Sequence, residues 1–326
     1  MVVWLYAAFV VFVIGLLALD LGVFNRKVHV VRTREAVAWT CFFVVLALAF
    51  NVLVFFIYKH DWAGMASRVE PRISGSQAAI QFFTGWLVEY SLSLDNIFVI
   101  ALIFEYFRVP QIYQHRVLFW GILGALIMRG VMIALGATLI ARFHWIIYIF
   151  GALLIITAVK MLIVQHEHID PTRNPLVRIA RRFYPVSSSF DGQHFFTRVD
   201  GRQAITPLFL ALLVVESTDV LFAIDSIPAI FAITKAPFIV FTSNVFAILG
   251  LRSLYFALAA LLNQFHYLKF SLVFLLAFIG VKMLASHFYD IPNGVSLTVI
   301  AGILAVGVLA SIFARRPAAP MTPREP

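Results

Sequence analysis

The chain has 326 residues, 62% of them hydrophobic and 13% charged, with a mean hydropathy of +0.94 and a formal net charge of +9. That composition excludes a soluble domain, and apolar runs of about 20 residues, each enough for a hydrocarbon core of about 30 Å, define a polytopic all-α membrane protein. The runs do not alternate apolar and polar residues, which excludes a β-barrel. The single Cys41 excludes an intrachain disulfide and a thiolate metal cluster. The bases lie mainly in connecting loops, so the positive charge reads as topology and attraction to lipid head groups, not as nucleic-acid binding.

Nine spans are expected. The first is Val2 to Phe24, which lacks a basic leader and a cleavage site and reads as retained. A basic loop, Asn25 to Glu35, leads to the second span, Ala36 to Tyr58, and a polar loop, Lys59 to Ser76, follows. The third span, Gln77 to Phe104, contains Glu89, Asp95 and Asn96. The fourth, His115 to Ile140, contains Arg129, and a tight turn at Ala141 to His144 joins it to the fifth, Trp145 to Val164, with Lys160 near its end. Gln165 to Gln203 is the one long polar segment. The sixth span, Ile205 to Thr234, carries Glu216, Asp219 and Asp225. The seventh is Phe238 to Leu262 with Arg252 inside, the eighth Phe270 to Phe288 with Lys282, and the ninth Ser296 to Phe313. A Pro-rich basic tail, 315–326, is expected to be disordered. Most loop Lys and Arg fall on the side of the first connecting loop, the long segment and the tail. That side is expected to be the cytoplasm, with the N-terminus outside and the C-terminus inside a bacterial inner membrane.

Spans three to five resemble spans six to eight. Glu89-Tyr-Ser-Leu-Ser-Leu-Asp95-Asn96-Ile97 matches Asp219-Val-Leu-Phe-Ala-Ile-Asp225-Ser226-Ile227; Val109-Pro110 matches Ala236-Pro237; Ile122-Leu-Gly124 matches Ile248-Leu-Gly250; Arg129 matches Arg252; and Val159-Lys160-Met161-Leu162 matches Val281-Lys282-Met283-Leu284. Three spans per unit is an odd number, so the second unit enters the membrane from the opposite face. The chain therefore divides into two N-terminal helices (1–76), a first three-helix unit (77–164), a loop (165–203), a second, inverted unit (204–290), a last helix (291–314) and the tail. Inverted repeats are common in secondary transporters, with sites at the repeat interface.

An Asp at the middle of a membrane helix costs about 2.5–3.5 kcal/mol on insertion scales, so the acids of the third and sixth spans need compensation. Pro228 lacks an N–H and its ring opposes the carbonyl of Ile224, so a break beside Asp225 is expected. Glu89, Ser93 and Asn96 share one helical stripe, Glu216 and Asp219 share another, and Asp225 needs the break to join them. The candidate metal ligands are Glu89, Asp95, Asn96, Glu216, Asp219, Asp225 and Ser226, with Ser93, Thr218 and Pro228 in support. These are hard oxygen donors and suit Mn²⁺, Mg²⁺ or Ca²⁺ better than Zn²⁺ or Cu⁺. Arg129 and Arg252 are expected counter-charges that occupy the empty site, whereas Lys160 and Lys282, at span ends, are expected to snorkel. Ordinary buried ion pairing is the competing reading of the acids. Carboxylates that bind a metal also bind protons, so metal release coupled to proton uptake is expected.

Two features lie in the long segment. His166-Glu-His168-Ile-Asp170 holds potential metal ligands within a solvated loop, and Pro175 to Tyr184 has apolar and basic residues at helical spacing, which places it on the inner membrane surface. The 33 Phe read as lipid-facing packing. No Walker, Rossmann, G-x-S-x-G or zincin motif is present, so neither an enzyme nor an organic cofactor is expected.

The motifs Glu89-Tyr-Ser-Leu-Ser-Leu-Asp95-Asn96 and Glu216-Ser-Thr-Asp219-Val-Leu-Phe-Ala-Ile-Asp225-Ser226-Ile-Pro228, with the loop Arg181-Arg-Phe-Tyr-Pro-Val, resemble the TerC/Alx family of integral membrane proteins over nearly the whole chain. The resemblance implies manganese export, responses to alkaline pH and an association with tellurium resistance. It matches the family's intramembrane acids to Glu89, Asp95, Glu216, Asp219 and Asp225. Two functions follow. One is a secondary transporter that exports Mn²⁺, in exchange for protons, across the lipid bilayer it spans. The other is a membrane assembly or stress-resistance factor, concerned with tellurium resistance or the metallation of exported proteins, that works through protein partners the sequence does not name.

Overall fold

A computed structural model describes residues 2–19, 33–69, 71–143, 145–163, 174–199, 201–258, 268–286, 288–289 and 291–313. Among the described residues each of the nine apolar segments forms a helix: α1 (Val2–Leu19), α2 (Thr33–Lys59), α3 (Gly75–Tyr106), α4 (Gln111–Arg142), α5 (Ile146–Ile163), α7 (Pro207–Phe231), α8 with α9 (Pro237–Leu249 and Leu251–Leu258), α10 (Leu268–Ala285) and α11 (Asn293–Phe313). Seven of the described helices are long and apolar enough to cross a membrane. The His166–Asp170 cluster, most of the first basic loop and the C-terminal tail lie outside the described residues.

Local chemistry sets the helix ends. Ser74 caps α3 in a capping box with Gln77, each side chain taking the other's backbone N–H, at 3.3 and 2.8 Å. Pro207 and Pro237 open α7 and α8 at the first helical position, where a missing N–H costs nothing. Between α2 and α3, Asp61 ties a tight loop. Its carboxylate accepts from the backbone N–H of Ala66 (2.8 Å), from the backbone N–H and the hydroxyl of Ser67, and faces Arg72 at 3.7 Å. The Ser67 hydroxyl, helped by the two amides and Arg72, holds the Asp61 carboxyl below the ordinary aspartate value.

Helices α3 to α5 pack against α7 to α10 in matched pairs. The first helix of each set lies on the second helix of the other, α3 on α8 and α7 on α4, and like meets like at α3–α7, α4–α8 and α5–α10. At the α5–α10 crossing two glycines bring the backbones together: a Cβ on Gly280 would lie 2.9 Å from the carbonyl oxygen of Gly151. The N-terminal helices join this bundle through phenylalanines. Phe9, Phe50, Phe82 and Phe246 stack between α1, α2, α3 and α8, with Phe50 and Phe246 centroids 4.7 Å apart. Part of the phenylalanine content is thus helix-to-helix packing rather than lipid-facing surface.

The long polar segment is folded. It holds the expected helix, α6 (Pro175–Phe183), capped by Asn174, and a hairpin of β1 (Phe196–Val199) and β2 (Arg202–Ile205), paired antiparallel with Phe196 opposite Ile205. The hairpin was not expected: its residues read as polar loop, and β2 leads directly into the acidic helix. Phe190 meets Tyr113, Phe195 and Phe196 meet Phe209, and the Arg116 guanidinium lies 5.1 Å from the Phe195 ring centroid. The starts of α4 and α7 therefore sit at one end of the bundle, with this segment over both.

Three expectations need correction. Helix α7 does not break at Pro228 but runs through it to Phe231. Pro228 stands in the last turn, so only one interior hydrogen bond is forgone, which membrane helices tolerate when neighbours pack round the site. The seventh span is divided at Gly250 into α8 and α9. Lys282 does not snorkel: it is buried and donates to Ser296 Oγ at 2.8 Å and Asn293 Oδ1 at 3.4 Å, fastening α10 to the start of α11. Lys160 is exposed, as expected of a span end.

Candidate functional site

The centre of the molecule is an arginine. Arg129, near the middle of α4, is 1% exposed and touches both acidic helices. Its Nη1 is ion-paired with Glu89 on α3, its Nη2 and Nε donate to the two Asp219 oxygens on α7 at 2.8 and 3.3 Å, and Nη1 also donates to Ser226 Oγ at 3.3 Å. Glu89 and Asp219 are equivalent positions of the two repeats. One guanidinium thus joins the first acid of each motif across the repeat interface. In hydrocarbon a fixed fork of donors is well suited to hold two carboxylates that would otherwise repel.

The second acid of each motif turns elsewhere. Asp225 accepts from Thr157 Oγ1 of α5 at 2.8 Å, and Asp95, half-buried, lies within electrostatic reach of Lys269 at the start of α10. The two links are not equivalent: Thr157 lies late in α5, whereas Lys269 lies at the start of α10. Glu216 belongs to the second unit alone and packs against Gly124 of α4, where a Cβ would collide with its carboxylate. The expected break that would bring Asp225 to Glu216 and Asp219 is absent, and among the described residues no three His, Cys, Asp or Glu side chains gather closely enough to hold a metal ion. With the helix unbroken through Pro228, position 225 lies about 120° round α7 from Asp219.

Beside the clamp is a cavity of about 30 Å³, enough for one or two waters. Asn96, Thr218, Asp219 and Arg252 provide its polar lining, and Ile122, Ala125, Val215 and Phe222 form much of its wall. Asp219 borders both cavity and clamp. Ala125 and Ile122 precede Arg129 on α4, so the cavity lies on the long-segment side of the ion pair. Arg252, the counterpart of Arg129, thus stands at the cavity wall. The Asn96 Oδ1 and the Ser93 hydroxyl are buried without a hydrogen-bond partner among the described residues. Sequence reading missed Thr157 and Asn244. Asn244, in α8, is 0% exposed with neither amide atom bonded among the described residues. A polar residue inside an otherwise apolar span was the available signal for both.

The long apolar helices, the paired three-helix units and an ion-pair network sealed at their interface define a polytopic helical membrane protein with its polar machinery at the repeat boundary. The profile of the Integral membrane protein TerC family matches residues 74–319, and the chain belongs to that family. It is 51% identical over 312 residues to an uncharacterized membrane protein of Myxococcus xanthus, covering 96% of this chain and 93% of the relative. It is 45% identical over 303 residues to an Escherichia coli protein named "Putative membrane-bound redox modulator Alx", covering 93% and 92% of the two chains. A Rickettsia bellii membrane protein is 39% identical over 305 residues, covering 94% and 96%. No solved structure matches the chain.

Proposed function

We propose that the protein is a secondary transporter that moves a divalent metal ion, Mn²⁺ foremost, out of the cell across the bacterial inner membrane, in exchange for protons, with its N-terminus outside and its C-terminus in the cytoplasm. The observation that carries this reading is Arg129 held between Glu89 and Asp219. An internal guanidinium neutralises the two carboxylates when no ion is bound. An incoming dication competes for the same oxygens, and displacement of the arginine loosens the contact between the two units. The cavity beside Asp219 offers an approach, with Asn96 and Thr218 as neutral oxygen donors on its wall. Carboxylate, amide and hydroxyl oxygens favour Mn²⁺, Mg²⁺ or Ca²⁺. The ion is cargo, and Asp225 and Asp95 serve as flanking positions that carry it or the returning protons.

The folded long segment supports a second reading, an assembly or stress-resistance factor that docks partner proteins. The name of the Escherichia coli relative, a redox modulator, fits either reading through metal supply, since one cysteine gives this chain no dithiol couple of its own.

Purified protein in sealed vesicles separates the two. Uptake should be measured across Mn²⁺, Mg²⁺, Ca²⁺ and Zn²⁺, with and without a proton gradient. Transport predicts Mn²⁺ flux that is lost in Glu89→Gln and Asp225→Asn, with both variants still inserted. Wild-type vesicles that pass no metal ion would sink the proposal and favour the partner-based function.

A further inference from the structure

Helix α6 is short, yet it presents two different apolar faces. Val177 is buried against the protein, with Ala180 beside it. Leu176, Ile179 and Phe183, spaced three and four residues apart, form a second stripe that is exposed, Phe183 to 73%. Arg178, Arg181 and Arg182 fill the remaining arc, all exposed, and the helix carries no acid.

Its depth follows from contacts at both ends. At the N-terminus, Asn174 Nδ2 donates to Ser217 Oγ of α7 at 2.5 Å. Just past the C-terminus, Ser187 N donates to the Ile205 carbonyl and Ile205 N to the Pro185 carbonyl, each at 2.9 Å. α6 therefore runs antiparallel along α7 from Ser217 back to its start, a length of about 15 Å at 1.5 Å per residue. Its place around α7 is equally defined. Ser217, Leu221 and Ile224 make one stripe of α7, and Leu221 is 63% exposed. The cavity-lining residues Val215, Thr218, Asp219 and Phe222 lie about 150° away at 100° per residue. α6 thus covers the first half of a stripe whose second half is bare apolar surface on a membrane-spanning helix. Its outward face is at the bundle's periphery, where α7 meets lipid.

We infer that α6 is a docking site for anionic lipid: the Leu176, Ile179 and Phe183 stripe lies among acyl chains, and Arg178, Arg181 and Arg182 grip phosphate head groups of the leaflet on the long-segment side. Charge complementarity and depth select this occupant. A helix bearing three cations and no acid, laid along the entry of a membrane helix, turns its apolar stripe sideways into lipid while its guanidinium groups, on long stems, reach to head-group level.

The test uses the full chain and does not depend on metal flux. With Cys41→Ser as background, since Cys41 is exposed, a bimane probe at Ile179→Cys is read in vesicles of phosphatidylcholine alone and of an equal mixture with phosphatidylglycerol. Quenching by acyl-chain nitroxides, stronger in the mixture, is expected. Quenching by aqueous iodide alone would place the stripe in water, available to a protein partner, and would overturn the inference. Native mass spectrometry of protein from the mixed vesicles supplies a second reading. Phosphatidylglycerol enrichment should fall about fivefold for each of Arg178→Gln, Arg181→Gln and Arg182→Gln. Enrichment unchanged in the triple variant would equally overturn it.

Discussion

Arg129 binds Asp219 through two of its nitrogens, Nη2 to Oδ1 at 2.8 Å and Nε to Oδ2 at 3.3 Å, while Nη1 is paired with Glu89 of the other repeat. Removing the guanidinium strands two carboxylates in the bundle. Arg129→Gln should destabilise the protein by about 3–5 kcal/mol, the usual cost of breaking a buried pair from one side. Adding Glu89→Gln and Asp219→Asn should restore much of it, because the uncompensated charge is then gone. Unfolding of the single and triple variants in mild detergent measures both. A triple variant no more stable than Arg129→Gln would show that the arginine acts by packing rather than by charge.

Thr157 Oγ1 donates to Asp225 at 2.8 Å from the opposite unit. Asp225→Asn keeps the shape and an acceptor oxygen, so thermal stability should stay within about 1 kcal/mol of wild type, in line with a neutral hydrogen bond. Mn²⁺ flux into vesicles should be abolished. Thr157→Val leaves the charge but frees its orientation and should give partial flux. Equal flux in Asp225→Asn and wild type would remove Asp225 from the pathway.

The extent of the helices was legible because hydrocarbon thickness writes itself into run length: α3 and α4 extend only a few residues beyond the expected spans. The polar anchors shared by spans three to five and six to eight were readable in the sequence, and Arg129 as counter-charge followed from intramembrane bases set against intramembrane acids. Which acid meets which partner was not. Glu89 and Asp95 are close in sequence, yet one faces α4 and the other lies toward α10. That difference depends on how α3 is rotated against its neighbours, and hydropathy carries no such information. The Pro228 expectation failed for a related reason. The sequence shows the lost hydrogen bond but not the buried surroundings of Ile227, Pro228, Ala229 and Ile230, among which the helix continues to Phe231.

Two glycines test opposite consequences of close approach. A Cβ at Gly124 meets only the end of the Glu216 side chain, which can move; a Cβ at Gly280 meets the Gly151 carbonyl oxygen at 2.9 Å and Ile155 Cγ1 at 2.8 Å. Gly124→Ala should therefore leave stability within about 1 kcal/mol while lowering Mn²⁺ flux by displacing the carboxylate. Gly280→Ala should cost about 1–3 kcal/mol through overpacking at the α5–α10 crossing. Thermal unfolding beside flux in the same vesicles distinguishes them, and the reverse ranking of stability would refute the packing argument.

The Asp61 loop should open in acid. Its carboxyl titrates below the ordinary aspartate value because Ser67, Ala66 and Arg72 favour the charged form. A depressed folded value means that the stabilisation is present above the unfolded value and is lost as pH falls through the folded one. Hydrogen-exchange protection of the Ala66 and Ser67 amides, corrected for intrinsic rates, should fall over that acidic range. In Asp61→Ala it should already be low at neutral pH. Protection that persists unchanged in Asp61→Ala would mean the loop is held by its backbone alone.

Asn244 separates function from stability most sharply. It is 0% exposed, and neither its amide nitrogen nor its oxygen has a partner among the described residues. On α8, Ser243 abuts Gly85 of α3 and Phe241 abuts Gly130 of α4, so this stretch of α8 packs one turn from Glu89 and next to Arg129 along those helices. An unsatisfied buried polar group costs about 1–3 kcal/mol. If packing were its only role, an apolar side chain of similar volume would serve better. Asn244→Leu should accordingly raise the unfolding free energy by about 1 kcal/mol or more and at the same time lower Mn²⁺ flux, because an ion leaving Glu89 on the side away from the cavity loses a neutral oxygen ligand. Asn244→Asp should lower stability by placing a charge at a fully buried position. A Leu variant that transports at the wild-type rate would assign the amide no part in the pathway and leave its burial a structural cost without return.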